Sequence, residues 1–203
     1  MSEENQEDSK KGLIYLGAGM IVLIIAVFLL VKFAPALFAS KPQTLQYNGF
    51  EFKYDGTFWN TEWQNGLNKY ALPLRYNPKE AESVQVFGKL DDSFNNRSNI
   101  YITIDPTNKA SLKWVGLAKG ELIWSLIGPI QKKVNDSCTV NSTECTGFPI
   151  VDCTDTNKSV IYLVPNETAK ILASGTCVVI EGSEFELVKA VDRFLYSWYG
   201  IMK

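Results

Sequence analysis

SVIYL at Ser159–Leu163 and CVVIEGS at Cys177–Ser183 decide the fold of this chain. Both are short apolar runs rich in β-branched residues and bounded by turn formers, the pattern of buried strands. The segment after the second run places Val188, Val191, Leu195 and Trp198 at helical spacing. SVQVFGKL (83–90) and YITIDP (101–106) repeat the order, and Trp114, Val115, Ala118 and Leu122 then share one helical face. Val84 to Tyr101 is 17 residues, as is Val160 to Cys177, and Asp105 and Glu181 stand at equivalent strand ends. This spacing predicts two β-β-α units. Ser183 and Glu186 form the S-x-x-E pattern of a capping box, and Asp105 before Pro106 reads as an N-cap with Pro at the first helical position.

Toward the N-terminus, LQYNGFEFKY (45–54) is two alternating runs around Asn48-Gly49, a strong hairpin signal. KYALPLRY (69–76) reads as a further strand, with Pro73 confining it to an edge or bulge. Residues 128–147, GPIQKKVNDSCTVNSTECTG, show no clear period and read as a loop stapled by cysteines. The predicted class is α+β: one mixed or antiparallel sheet of about six to eight strands carrying two helices on one face.

Residues 12–31, GLIYLGAGMIVLIIAVFLLV, hold no charge. At about 1.5 Å per residue they span roughly 30 Å, the thickness of a bilayer's hydrocarbon core. The expected organisation is a polar tail (1–11), a transmembrane helix in contact with lipid (12–34), a linker (35–44) and an extracytoplasmic domain (45–203). Two rivals compete for the N-terminal segment. A cleaved secretory signal has an A-x-A-like site at Ala34 and Ala36, but its apolar region should run only about 7–15 residues. The junction Lys10-Lys11-Gly12 resembles the processing site of archaeal type IV pilin precursors, which implies a pilin-like subunit beginning at Leu13.

Lysines flank the apolar run on both sides, so the positive-inside rule does not orient it. The cysteines do. Cys138, Cys145, Cys153 and Cys177 all follow the run, an even count that fits an oxidising space. Five glycosylation sequons lie on the same side, at Asn96, Asn135, Asn141, Asn157 and Asn166. Composition alone would supply about two. The tail is therefore expected inside and the domain outside, with disulfides Cys138–Cys145 and Cys153–Cys177.

The chain has no histidine, which removes Ser-His-Asp, Cys-His and histidine–zinc chemistry from it. No phosphate-binding glycine pattern appears, and LGAG (16–19) lies within the apolar run. From residue 41 onward there are 17 basic and 18 acidic residues, so no electrostatic footprint for nucleic acid exists. No cofactor or metal is expected. Among the acids, Asp91-Asp92 reads as a solvated turn, Asp105 and Glu181 as helix-flanking groups, and Glu184, Glu186 and Asp192 as a solvated helix face. Trp59, Trp63, Tyr196, Trp198 and Tyr199 offer aromatic surface for a peptide or carbohydrate, with core packing as the plainer reading.

YITIDP, SVIYL and FELVKAVDRFLYSWYGI, with the four cysteines and the N-terminal apolar run, resemble archaeal single-pass membrane proteins. The likeness covers most of the chain from about residue 47 and implies a cell-surface setting without an activity. The functional expectation is a membrane-anchored module without catalysis, bound to an envelope protein or glycan through the stapled loop 128–147. A carboxylate-based hydrolase of envelope glycans is the alternative from a different class, and a pilin-like subunit the third reading.

Overall fold

The computed structural model describes residues 17–32, 43–108 and 112–203. The chain divides into two units, Met1–Lys41 and Pro42–Lys203. In the first, residues 17–32 form helix α1, with every side chain exposed. Among the described residues no helix is long and apolar enough to cross a membrane. The transmembrane helix expected at 12–34 is corrected on this finding. Residues 12–16 and 33–34 of that expectation lie outside the described residues, as do the tail 1–11, the pilin-like start at Leu13 and most of the linker.

The second unit is α+β and contains two sheets. Strands β1 (Thr44–Tyr47), β2 (Phe50–Tyr54), β3 (Trp59–Asn65) and β4 (Asn68–Leu74) form an antiparallel meander in chain order. Asn48 and Gly49 make the first turn with φ of 46° and 84°, as the hairpin reading required. Pro73 sits in β4 at the sheet's edge, where its missing N–H disrupts no ladder.

A short helix α2 (Pro78–Ala81) follows, closed by a capping box between Asn77 and Glu80. The remaining elements are β5 (Gln85–Leu90), α3 (Asp92–Asn96), β6 (Asn99–Ile104), α4 (Leu112–Ile127), β7 (Lys133–Cys138), β8 (Ser159–Pro165), β9 (Lys170–Gly175), β10 (Cys177–Gly182) and α5 (Glu184–Trp198). The six strands form a second sheet in the order β5-β9-β10-β8-β6-β7. Only the β9–β10 pair is antiparallel.

Four expectations change here. The strands form two sheets rather than one, because helix α5 is apolar enough to need cover on both sides. The two β-β-α units do not share a topology. β8 and β10 pair directly, with Val160 opposite Cys177, whereas β5 and β6 are separated by three strands. Residues 133–138, read as loop, are the edge strand β7, held by its parallel pairing to β6. Neither predicted cap forms. Asp105 accepts the backbone N–H of Thr107 at 2.9 Å in a local turn, and residues 106–108 are not helical. Ser183 precedes α5 without a side-chain cap bond.

Register explains the two faces of the second sheet. Ile102, Ile161 and Val178 lie side by side, as do Ile104, Leu163 and Ile180, and they join the core beneath α4 and α5. Each such buried aliphatic side chain stabilises by about 1.5–3 kcal/mol relative to exposure. The alternate residues Tyr101, Val160 and Cys177 face the opposite way and form a small cluster with Val151. Val151 comes from the segment after β7, which folds back over this second face. Its N–H bonds the Cys138 carbonyl at 3.0 Å, and its own carbonyl accepts the Thr103 hydroxyl at 3.0 Å.

Both expected cysteine pairs stand at disulfide distance, Cys138 with Cys145 and Cys153 with Cys177. The second ties the covering segment to the central strand β10. Closing a loop of 24 residues lowers the entropy of the unfolded chain by an amount worth about 3 kcal/mol. Cys153→Ser with Cys177→Ala is expected to lower the urea-unfolding free energy by that amount. An unchanged midpoint would show that packing alone holds the segment.

Helix α5 is the centre of the domain. Every residue from Ala190 to Tyr196 is buried. One side lies on β10 and β8. The other meets the meander: Phe52 packs edge-on against Tyr196 at 5.7 Å, and the Trp63 indole N–H donates to the Tyr199 carbonyl at 2.9 Å.

Candidate binding groove

α5 covers the middle of the second sheet and leaves its β5 end open. The result is a groove of about 460 Å³, bounded by Val86, Lys89, Leu90, Ile171, Phe194 and Trp198. Its size and largely apolar lining match small-ligand and side-chain pockets. Trp198 forms the wall on the helix side, packed between Phe94 at 5.4 Å and Phe194 at 5.3 Å. Those contacts hold the indole plane in place. Arg193 lies beneath and is 8% exposed; it donates to the Ser197 hydroxyl and, at 2.6 Å, to the Lys203 carbonyl. Burial draws its guanidinium below the usual value.

β5 supplies the other wall. It ends the sheet order and pairs only with β9. The outward backbone groups of such a strand are a template for another chain. Val86 is 43% exposed and Phe87 49%, on alternate faces of the strand. Gly88 has φ of +78°, and an added Cβ would lie 2.0 Å from the Ala173 carbonyl oxygen. Only glycine permits this close approach of β5 to β9.

Of the aromatic residues singled out in the sequence, only Trp198 lines this groove. Tyr196 and Tyr199 are buried, and Trp63 packs on Tyr199 at 4.9 Å, so these three serve the core. Trp59 borders a separate, more open surface with Asn77 and Lys79. Asp105 follows β6 and Glu181 lies on β10, with β8 between those two strands, and both acids are engaged locally. Thr107 occupies Asp105, while Lys170 at 3.2 Å and Asn166 occupy Glu181.

The acids that do meet were not foreseen. Asp192, expected on a solvated face, is 0% exposed, because the meander and α4 enclose the helix side on which it sits. Its carboxyl faces that of Glu121 on α4 and accepts the Tyr76 N–H at 2.8 Å. Glu121 in turn pairs with Arg75. Burial pushes the Asp192 carboxyl well above the usual range and the facing Glu121 adds to this, while the Tyr76 N–H opposes it. Burial also raises Glu121, against the opposing effects of Asp192 and Arg75. Two buried carboxyls facing each other disfavour ionisation of both at once. Substrate has no path to a fully buried carboxyl, so the pair joins three parts of the fold. No local sequence signal marks it, since the two residues are 71 positions apart.

The sequon asparagines Asn96, Asn141, Asn157 and Asn166 are exposed. Asn135 is half-buried in β7, and its sequon hydroxyl, on Ser137, is buried against Thr103 at 2.7 Å. Among the described residues no group of three or more Cys, Asp or Glu is placed to hold a metal ion.

Fold and groove together define an α+β domain with an open sheet edge beside an apolar groove. No protein-family model, curated protein or solved structure matches the chain.

Proposed function

We propose that residues 42–203 form an extracytoplasmic binding module without catalytic chemistry, and that it holds an extended segment of an envelope protein along β5. The observation that carries this reading is an unpaired strand edge directly beside an apolar groove. Strand addition uses both features: backbone hydrogen bonds supply affinity, and pockets for alternate side chains supply selectivity. The two cysteine pairs support the compartment, because disulfides persist in oxidising spaces. The contact belongs at β5 rather than at 128–147, because β7 lies within that stretch and residues 149–151 are bonded to the end of β7.

Photo-crosslinking in the native envelope tests the proposal. A benzophenone amino acid at Val86 and another at Trp198 are expected to capture the same short segment of one partner. A third at Leu67, fully exposed on the β3–β4 turn, is expected to capture none of it. Different segments from Val86 and Trp198, or capture centred on Phe148, would overturn the β5 assignment.

A further inference from the structure

A second pocket lies at the N-terminal ends of β6 and β8. It holds about 310 Å³ and is lined by Asn96, Arg97, Asn99, Tyr101, Asn157 and Lys158. Its chemistry is opposite to that of the β5 groove: one aromatic ring, three amides and two cations. Lys158 sits 5.7 Å from the centre of the Tyr101 ring and 2.8 Å from the Asp155 carboxylate. Arg97 donates through Nη2 to the Thr156 carbonyl at 3.1 Å, while its Nη1 is shielded from solvent and has no hydrogen-bond partner. Asn96 and Asn157 are both sequon asparagines, contributed by segments 61 residues apart.

We propose that this pocket seats a sugar residue. A pyranose presents an apolar C–H face and a rim of hydroxyls. Tyr101 provides the flat apolar wall, and the Asn96, Asn99 and Asn157 amides provide the polar rim. An apolar side chain finds only one ring here. Lys158 is already paired with Asp155, so the pocket lacks the concentrated positive charge that a phosphate group selects. The sugar has two sources. It is carried on Asn96 or Asn157, or it belongs to an envelope glycan. The first source rests on the extracytoplasmic reading; the pocket's chemistry does not.

Two measurements on the full chain decide between them. Glycopeptide mass spectrometry of protein from its native cells reads Asn96 and Asn157. Amide NMR of unglycosylated chain, titrated with methyl α-glucoside, N-acetylglucosamine and glucuronate at millimolar concentration, reads the pocket. Sugar mass on either asparagine, with Tyr101 and Arg97 resonances that shift when the glycan is trimmed, establishes the tethered source. Bare asparagines, with one probe shifting Tyr101, Arg97 and Lys158 and binding at least tenfold weaker in Asn99→Ala, establish the free source. Bare asparagines with no probe shift overturn the proposal, as does an attached glycan whose trimming leaves Tyr101 unmoved. If the disulfides are intact in that event, only the sugar seat falls and the binding-module reading stands.

Discussion

Asp192→Ala is expected to destabilise the 42–203 domain by about 3–4 kcal/mol, and Asp192→Asn by no more than about 1 kcal/mol. Alanine removes a carboxyl that is 0% exposed and leaves the Tyr76 N–H without its acceptor. An orphaned buried donor costs about 1–3 kcal/mol, and the small void adds to it. Asparagine keeps the shape, accepts from Tyr76 through its oxygen and donates to Glu121 through its amide. It reproduces the protonated acid.

The same pair sets a pH dependence. Asp192 faces Glu121 from α4, the Arg75 and Tyr76 backbone N–H groups from the segment after β4, and Tyr196 one turn along α5, with Glu80 and Arg75 farther out. Both carboxyls are raised in the folded state, so the folded protein binds more protons than the unfolded chain. The stability they contribute is fully present below the unfolded carboxyl range, about pH 4, and is lost as pH rises through the raised folded values. Asp55, Asp152 and Asp155 are lowered and act in the opposite sense, but they sit at the surface, where screening leaves such contacts little weight. Urea midpoints measured from pH 5 to pH 9 are expected to fall for the natural chain and to fall less for Asp192→Asn. Parallel curves would mean that Asp192 is ionised in the fold.

Gly182→Ala is expected to cost about 4 kcal/mol, enough to leave much of a marginally stable domain unfolded. A Cβ at this position would lie 2.6 Å from the Leu187 nitrogen, 2.7 Å from its Cα and 2.9 Å from the Glu186 carbonyl carbon. Overpacking against side chains costs about 1–3 kcal/mol because a rotamer can yield. Here the struck atoms are the backbone of the first turn of α5. That turn cannot retreat, because Leu187 and Val188 are buried in the core. Circular dichroism on heating reads the loss directly. A midpoint within a few degrees of the natural chain would mean that α5 can move off β10.

The sequence by itself determined what neighbouring residues settle among themselves. The hairpin at Asn48-Gly49 depends on two residues that tolerate positive φ, and the edge position of Pro73 on a missing N–H. The apolar alternation in YITI, SVIYL and CVVI marks strands because side chains one residue apart must leave a sheet on opposite faces. Four cysteines without a C-x-x-C pair pointed to disulfides, and both pairs appear. The apolar run 12–31 was legible as helix, and α1 is described over 17–32, but composition alone overstated it as a membrane span.

Only the tertiary structure decided how these pieces meet. The spacing of 17 residues is the same before β6 and before β10, yet β8 pairs with β10 while β5 crosses to the far end of the sheet. Partner choice depends on what covers each face, which no window of sequence contains. Asp192 shows the point most sharply. Its neighbours in sequence make it one of several acids on a helix, and an acid on a helix ordinarily faces water. α5 is enclosed by a sheet on one side and a meander on the other, so this carboxyl has no water to face and meets Glu121 and the Tyr76 N–H instead. The β5 groove has the same origin. It exists because α4 lies over β7 and β8 and α5 over β8, β10 and β9, which leaves the β5 end of a six-stranded sheet uncovered, a mismatch set by packing rather than by any residue in the groove.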